Sequence, residues 1–496
     1  MVDSSADELK SSNIFLLVVT LSLIEVALLS TGGFLVAVTS IDRNFVVFLI
    51  FALGTGLLGL LGLKHIEWDR GFKAGEIFLI ISLNFCMAIL LCSFIYLSLG
   101  QCDTFDKALF ESVSGLTTTA LTNLTPESLG RSVLFFRSAT QWVGGLGALL
   151  LVFVALPAAG RSEEFDVSFA KSFTKESSQK TLLRITKFYT ALTSITCIAF
   201  LAAGMKFFES LCHALSTVST GGYSTRNASI AGFESAAIEW VVASAMAFSG
   251  LNVVLLWWIW KRKFLPIVKN TEFRFYVLLV VASLISFGIW IRNHGSFGSV
   301  TKDSFFLVAS LLSTTGFTTI EWDFPSSMTA IVLLLLGIGA MAGSPGGGYG
   351  SGRLLQHYRF ARRELTQQLN PKSVRVVKIS GKVIDERALQ RLHGFTAIFI
   401  SLVAVGALCI SLANAETTPL EALSLSITSL ATAGPFLGGN LESTGLEFNT
   451  ATHIIVSLLM LLGRLSIFPI AYLGVSLLRT FRDGPVARIG HMVQRS

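Results

Sequence analysis

Four short stretches of the chain carry the residue types best suited to bind a bare cation. They read SVSGLTTTALTNL (112–124), LSTVSTGGYSTRN (215–227), LLSTTGFTTIEWD (311–323) and SITSLATAGPFLGG (426–439). Threonine and serine hydroxyls, together with backbone carbonyls, are hard oxygen ligands, which suit alkali cations rather than soft transition metals. Glycine permits the left-handed backbone angles that let successive carbonyls face the same way. The four stretches therefore predict a cation site lined by oxygen.

One position can be matched in all four stretches. It is Ala120 in the first and Gly221, Gly316 and Gly434 in the others, at separations of 101, 95 and 118 residues. Such regular spacing indicates a repeated structural unit. The candidate cation-binding residues are therefore Thr118, Thr119, Ala120, Thr220, Gly221, Thr315, Gly316, Thr432, Ala433 and Gly434.

Each stretch follows an apolar segment about half as long as a membrane span. The four segments are Phe105–Val113, Phe207–Leu215, Phe305–Leu312 and Leu420–Ile427. At about 1.5 Å per helical residue, each crosses roughly half of the hydrocarbon core. Non-helical backbone survives at that depth only where protein or water satisfies it. Four half-helices that meet at one axis would aim their negative C-terminal ends and a ring of carbonyl oxygens at a cation.

The rest of the chain has the composition of a membrane protein. Of its 496 residues, 52% are hydrophobic and 14% are charged, against about 25% charged in soluble domains. Ten apolar runs are long enough to be transmembrane helices, at 14–39, 45–63, 76–99, 132–156, 184–205, 236–260, 272–292, 326–342, 392–413 and 451–479. The predicted fold is an all-α polytopic membrane protein. It has an N-terminal two-helix unit at 1–70 and four pore units at 71–160, 161–265, 266–365 and 366–496.

Lysine and arginine are concentrated on one side of this arrangement. With Lys10, 29 of the 38 basic residues fall in the segments 64–75, 157–187, 261–274, 353–391 and 479–495. If the ten spans alternate, the positive-inside rule makes that side cytoplasmic, together with both termini. The outer regions keep a surplus of about six negative charges. An acidic outer mouth would concentrate cations, although the topology rule alone also produces such a surplus.

Other kinds of site have little support. The six cysteines form no CxxC pair and the histidines are scattered, which argues against a zinc site. A membrane-embedded enzyme would need polar groups clustered inside the spans, and the candidates Glu25, Arg137 and Arg464 lie far apart in sequence. We expect no bound cofactor and no nucleic-acid partner.

The four turns resemble the pore loops of the Trk-type potassium-uptake family, which is related to the Ktr and HKT transporters. The matching pieces are SGLTTT, STGGYST, STTGFTT and AGP, with RSATQWVGGLG (137–147), NTEFRFY (270–276), AGSPGGG (342–348) and GRLSIF (463–468) beside them. The resemblance covers about 76–480, and the first two spans look like the additional N-terminal pair of the Trk branch. It implies four covalently linked M1–P–M2 pore units with a potassium filter. It also implies a homodimer in the plasma membrane, the inner membrane in bacteria, that sits on a cytosolic nucleotide-binding regulatory ring.

Three positions depart from the family pattern. Ala120 stands where the first filter glycine is expected, Tyr349-Gly350 replaces Ile-Lys, and Ser466 replaces Glu. In the plant relatives a side chain at the first of these positions is associated with sodium permeation. Since alanine resists a positive φ, we expect the first carbonyl to turn away and sodium to pass; compensation by the other three turns is the alternative. A sodium-permeable or ion-coupled transporter of the same fold is the alternative function.

The stretch GIGAMAGSPGGGYGSG (337–352) interrupts an apolar run after the third turn. Glycine and proline both destabilise a helix, so a break is predicted there. The resemblance implies an intramembrane gating loop, made of Gly343, Ser344, Pro345, Gly346, Gly347 and Gly348. Close helix packing through small residues is the alternative interpretation. A nucleotide site is disfavoured because no βαβ unit surrounds the GxGxxA pattern.

Two arginines within apolar runs call for a role, since such residues are costly at membrane depth and usually functional. Arg464 is expected to face the cavity under the filter as an electrostatic barrier and part of the gate. The alternative is a structural role in which it pairs with a carboxylate or with carbonyls. Arg137 is expected to hold the pore loops from behind.

Overall fold

The computed structural model describes residues 2–66, 74–155, 178–294, 300–320, 324–370, 376–435 and 448–465. It begins with a hairpin of two long helices, α1 (Val2–Ser40) and α2 (Phe45–Leu63). On α2, Ile50 and Leu53 are 63% and 64% exposed. Leucine and isoleucine are as apolar as lipid tails, so this face of the hairpin suits contact with lipid.

Four groups of helices with a common design follow the hairpin. The long first helices are α3 (Ala74–Ser98), α6 (Ser178–Ala202), α11 (Thr271–His294) and α15 (Glu386–Ala413). The short second helices are α4 (Phe105–Leu116), α7 (Phe207–Val218), α12 (Val300–Ser313) and α16 (Pro419–Ala431). The third helices are α5 (Arg131–Leu150), α8 (Ala236–Ser249), α13 (Ser326–Ile338) and α17 (Thr450–Leu465). The four predicted half-helices are thus confirmed, each a few residues longer than expected.

The remaining elements extend these groups. They are α9 (Val253–Trp260), α10 (Phe264–Lys269), α14 (Ser351–Leu369), and the antiparallel pair β1 (Lys378–Ile379) and β2 (Lys382–Val383). Ser380 and Gly381, between the strands, both have positive φ, 48° and 83°, which suits a two-residue hairpin turn. Apart from this short hairpin, the described residues have the predicted all-helical fold.

Seven of the ten predicted spans are confirmed, and the other three differ from the prediction or are described only in part. Seven described helices are long and apolar enough to cross a membrane: α1, α2, α3, α5, α6, α11 and α15. The predicted span 236–260 is instead two helices, α8 and α9, bent by 110° where the Asn252 side chain caps α9. The predicted span 326–342 ends early because Gly339, at φ 67°, terminates α13. The predicted span 451–479 lies within the described residues only as far as Leu465.

Two glycines allow third helices to touch the ends of short helices. A Cβ on Gly144 of α5 would overlap the carbonyl oxygen of Leu116, and one on Gly463 of α17 would overlap that of Leu430. Small residues permit this close backbone approach within membranes. In the first and fourth groups, therefore, the same contact supports the end of the short helix, where the turn begins.

Gly144→Ala is expected to lower the melting temperature of the detergent-solubilised protein, because the added methyl group must push α5 away from α4. Overpacking of this kind costs about 1–3 kcal/mol. Gly147→Ala is the matched control in the same helix, since its methyl group would meet no atom within 4 Å. It should leave stability unchanged or raise it by up to about 1 kcal/mol through helix propensity. Size-exclusion chromatography checks that both variants are folded. Equal melting temperatures for the two variants would contradict the close contact between α5 and α4.

Candidate functional site

The four short helices end in turns with the same backbone pattern. Each helix is followed by a left-handed threonine with φ between 49° and 59°, namely Thr118, Thr220, Thr314 and Thr432. Two residues later comes a second left-handed residue with φ between 64° and 89°, namely Ala120, Gly222, Gly316 and Gly434. Because this alternation recurs four times, the turns are structural equivalents.

The matched position in the second turn is Gly222, so the sequence-based match of Gly221 is wrong by one residue. Gly222 has a φ of 89°, whereas Gly221 has no positive φ. Gly221 is instead pressed against Gln141 of α5, whose side-chain amide an added Cβ would overlap. Two adjacent glycines cannot be told apart until such neighbours are known. Thr314, the left-handed threonine of the third turn, is a further residue that the sequence did not reveal.

Contacts between the turns run in a closed circle. A Cβ added to the second left-handed residue would meet a carbonyl oxygen of the next turn in three cases: Gly222 with Thr315, Gly316 with Ala433, and Gly434 with Thr119. The order is second to third, third to fourth and fourth to first. All four left-handed residues also line one small cavity of about 50 Å³. The turns therefore surround a single axis, with a carbonyl of the first, third and fourth turns beside a neighbouring turn.

Ala120 keeps the left-handed conformation despite its side chain. Its φ is 64°, and its Cβ lies 3.5 Å and 3.7 Å from the positions that a Cβ would take on Gly222 and Gly434. The Thr119 carbonyl still faces Gly434, at 2.8 Å from that position. The expectation that the first carbonyl turns away is therefore not met. The left-handed angle costs an L-residue about 1–2 kcal/mol, which surrounding contacts must offset.

A buried ion pair stands behind the first two turns. Glu111 of α4 and Arg137 of α5 are at most 1% exposed, with Oε2 and Nη2 3.9 Å apart. Glu111 Oε1 accepts hydrogen bonds from the Asn123 backbone N–H (2.7 Å) and the Thr122 hydroxyl (2.8 Å). Arg137 donates to the same hydroxyl (2.7 Å), and its guanidinium carbon lies 4.1 Å from the centre of the Tyr223 ring. The pair thus holds both turns from behind, as expected of Arg137.

Hydroxyl groups hold the other two turns. Ser310 donates to the carbonyl of Phe317 (2.7 Å), and Thr428 donates to the carbonyl of Pro435 (3.0 Å). Both bonds join a residue of the short helix to the residue after the second left-handed position. Equivalent turns are therefore stabilised by an ion pair on one side of the axis and by neutral hydrogen bonds on the other.

The Gly-rich loop, Gly339–Gly350, lies directly under the third and fourth turns. Gly347 N–H donates to the Thr314 hydroxyl (2.9 Å). A Cβ on Gly346 would lie 2.8 Å from the Ser313 carbonyl oxygen, and one on Gly347 would overlap that of Ala431. The tip of the loop therefore touches the C-terminal ends of α12 and α16, where room exists only for glycine.

Polar side chains from two other helices fix the base of the loop. Glu272 of α11, 2% exposed, accepts hydrogen bonds from the Ala342 N–H (2.9 Å) and the Ser351 hydroxyl (3.1 Å) through one oxygen. Asn252, at the bend between α8 and α9, donates to the Ala342 carbonyl (2.6 Å), and Val253 N–H donates to the Gly343 carbonyl (3.0 Å). These contacts join both ends of the loop to the second and third groups.

Arg464 joins the loop to the first group. Its Nη1 donates to the Pro345 carbonyl (2.7 Å) and its Nη2 to the Gly144 carbonyl (3.0 Å). The side chain is 7% exposed, and its Nε has no hydrogen-bond partner among the described residues. The structural alternative, pairing with carbonyls, is therefore present. The same contacts place a full positive charge beside the loop tip.

The C-terminal end of the loop is tied to α15. Thr396 donates its hydroxyl proton to the Leu392 carbonyl (2.8 Å) and so accepts from the Tyr349 hydroxyl (2.6 Å) and from His357 Nε2 (2.7 Å). Burial, with His393 nearby, lowers the pKa of His357. The arrangement requires only that His357 carry a proton on Nε2. Tyr349 therefore joins the end of the loop to α15, and His357 joins α14 to the same hydroxyl of Thr396.

Some predicted features fall outside the described residues. Among them are Ser466, the basic segment 479–495 and most of the basic segment 157–187. Within the described ranges, no group of three or more histidine, cysteine, aspartate or glutamate side chains could hold a metal ion. All six cysteines, each described, are free.

Known proteins resemble this chain over most of its length. The family described as TrkH, cation transport protein, matches residues 43–479. The Trk system potassium uptake protein TrkH of Salmonella typhimurium is 30% identical over 387 residues, which are 75% of this chain and 78% of that protein. TrkG of Escherichia coli K12 is 30% identical over 392 residues, with the same coverage of 75% and 78%. The crystal structure of the potassium transporter TrkH from Vibrio parahaemolyticus matches with a TM-score of 0.81 at 26% identity, over 92% of this chain and 98% of that one. The predicted fold is confirmed by this match.

Arg137→Met should destabilise the protein strongly, because it leaves the Glu111 carboxylate buried without its partner. Breaking a buried pair on one side costs about 3–5 kcal/mol. The double variant Glu111→Gln with Arg137→Met should be more stable than Arg137→Met alone, as judged by thermal melting in detergent. Arg131→Met, which removes an exposed arginine from the same helix, is the matched control and should change little. The single variant Glu111→Gln completes the cycle. If the stability losses of the two single variants add up to that of the double variant, the two side chains are not coupled.

Proposed function

The chain belongs to the TrkH family of cation transport proteins, and from this premise we propose that it takes up potassium through a filter made by its four turns. Family membership makes it a multi-pass membrane transport protein and not an enzyme. The relatives quoted above are potassium uptake proteins, which supports potassium as the transported ion of this chain.

The observation that carries the proposal is the closed circle of turn contacts. The carbonyl ring consists of the backbone carbonyls of Thr119, Gly221, Thr315 and Ala433, each one residue before a second left-handed residue. Carbonyl rings replace the hydration shell of potassium. The C-terminal ends of four short helices point at the ring, and their partial negative charges favour a cation. No cofactor is required for such conduction.

Selectivity for potassium over sodium follows from keeping all four carbonyls in the ring. The sodium-permeable alternative rested on a first carbonyl displaced by Ala120. Since Ala120 adopts the same left-handed angle as Gly222, Gly316 and Gly434, the geometry supports the potassium filter. The methyl group of Ala120 then adds strain and narrows the mouth without removing a ligand.

The Gly-rich loop is proposed as the gate. Its residues Gly343 to Gly348 lie beneath two of the four turns, and Gly347 and Gly346 leave no space between loop and helix ends. Arg464 would have two roles in the gate. It holds the loop through its hydrogen bond to Pro345, and its positive charge would repel a cation below the filter. Two like unit charges about 4 Å apart repel by about 4 kcal/mol in an intermediate dielectric.

The setting of the protein follows from the same premise. We place it in the plasma membrane, the inner membrane of a bacterium, as a homodimer with both termini in the cytoplasm. The basic segments 157–187 and 353–391 would dock a cytosolic nucleotide-binding regulatory ring. In support, α14 carries exposed Tyr358 (60%) and Leu365 (62%) among its arginines. The contact of His357 and Tyr349 with Thr396 gives such a partner a mechanical connection to the loop.

Ala120→Gly should stabilise the protein by about 1 kcal/mol through relief of the left-handed strain, while the potassium-to-sodium ratio stays the same within about twofold. Gly316→Ala is the matched control at the equivalent position. Its Cβ would overlap the Ala433 carbonyl, so potassium flux and selectivity should both fall. The measurement is rubidium and sodium flux into liposomes per folded protein. A potassium preference that rises about fivefold or more in Ala120→Gly, about 1 kcal/mol, would show instead that the methyl group degrades the filter.

Deleting Gly346 to Gly348 should raise potassium flux per folded protein, because the shortened loop no longer reaches the path under the filter. Arg464→Ala should act in the same direction by removing both the contact with Pro345 and the charge. Arg464→Lys separates these effects, since it keeps the charge but cannot donate to Pro345 and Gly144 in the same geometry. Flux is measured in liposomes at a fixed voltage, with folding followed by size-exclusion chromatography. Well-folded variants with unchanged or lower flux would favour the packing interpretation of the glycines.

A further inference from the structure

A large cavity lies away from the filter, between the N-terminal hairpin and the first two groups. Its volume is about 670 Å³, and its wall is formed by α1, α3, α5 and α6 with the end of α17. Pockets for small molecules measure about 300–1,000 Å³. Leu28 on this wall is 70% exposed, so the cavity can be reached from the lipid side.

The wall is apolar and partly aromatic. Aliphatic side chains form most of it, and three aromatic rings are added by Phe85, Phe135 and Trp142. The polar exceptions are Glu25, Asn84, Thr186 and Arg464. An ionisable residue in such surroundings is costly and is usually kept for a function.

Glu25 is held in place by a short hydrogen-bonded chain. The Ser22 hydroxyl donates to Asn84 Oδ1 (2.9 Å), and Asn84 Nδ2 donates to Glu25 Oε2 (3.0 Å). Asn84 belongs to α3, whereas the other two belong to α1. The carboxyl group is therefore oriented before any ligand arrives, and the proposed conduction path makes no use of it.

We propose that this cavity binds a lipophilic amine. A carboxyl group and an amine share one proton in a charge-assisted hydrogen bond, which is about twice as strong as a neutral one. Aromatic faces attract an ammonium group as well, and Phe85, Phe135 and Trp142 supply them. The apolar body of the ligand would fill the remaining volume and gain from leaving water.

Arg464 determines how the bound amine is oriented and connects the cavity to the Gly-rich loop. Its positive charge disfavours an ammonium at that end of the cavity, so the amine lies towards Glu25 and the apolar end towards Arg464 and Leu465. Because Arg464 also holds Pro345 of the Gly-rich loop, occupancy would change the flux. This second part rests on the proposed gate; the binding site itself does not.

The test is equilibrium binding to protein in nanodiscs, followed by the fluorescence of Trp142 with Trp142→Phe as the blank. The probes are N,N-dimethyldodecylamine and a neutral hydrocarbon of the same size and shape. We expect saturable binding of the amine, weakened at least tenfold by Glu25→Gln, with binding of the hydrocarbon unchanged by that substitution. Leu28→Phe, whose larger side chain takes up room in the cavity without adding a fluorescent indole, should weaken both probes, and Asn84→Leu should weaken the amine alone. Asn84→Leu also replaces Glu25→Gln as the deciding variant if the latter does not fold.

Equal binding of amine and hydrocarbon, insensitive to Glu25→Gln, would overturn the proposal and leave a cavity that takes bilayer lipid. Absence of saturable amine binding would overturn it too. Potassium flux is then measured with and without the amine. Amine binding that depends on Glu25 but leaves the flux unchanged would sustain the site and overturn its connection to the gate.

Discussion

Non-helical backbone in the middle of a membrane must find a partner for every carbonyl and N–H group, and the rest of this structure depends on that requirement. Four turns meet it together. Three turns place a carbonyl oxygen, that of Thr119, Thr315 or Ala433, beside the second left-handed residue of a neighbouring turn. In the proposed filter these carbonyls, together with that of Gly221, would have a cation as the partner of matching charge.

The four turns have the same backbone geometry, but the side chains that support them differ from turn to turn. The first two turns rest on the buried Glu111–Arg137 pair, while hydroxyl groups hold the third and fourth. The Gly-rich loop lies under the last two alone. A single covalent chain allows this, because each repeat diverges separately while the ring keeps its geometry. If the loop is the gate proposed above, it would move on one side of the axis while the buried pair holds the opposite side.

Much of the fold could be predicted from the sequence because membrane spans and half-helices differ in length and hydropathy, and because four similar stretches recur. The details that failed depend on distant partners. Gly221 and Gly222 are identical in type, but Gly221 packs against Gln141, whereas Gly222, which has the positive φ, packs against Thr315. Neither Asn252 nor Glu272 carries a local signal for its bond to Ala342, about 90 and 70 residues away.

Ala120 is a second position whose conformation could not be predicted from the local sequence. Local preference argues against a positive φ for alanine, by about 1–2 kcal/mol. Contacts among four turns outweigh that preference, so the ring keeps the first carbonyl. Arg464 likewise could not be assigned to one role from its position in an apolar run. Its bonds to Pro345 and Gly144 establish the structural role, while the barrier stays part of the proposed gate.

The most direct test of the carbonyl ring is a crystal structure of the protein grown with rubidium, which substitutes for potassium and scatters anomalously. A peak of anomalous density is predicted on the axis of the four turns, within coordination distance of the carbonyl oxygens of Thr119, Gly221, Thr315 and Ala433. Protein that transports rubidium but shows no peak there, with the ion bound elsewhere in the molecule, would contradict the ring as the site of conduction.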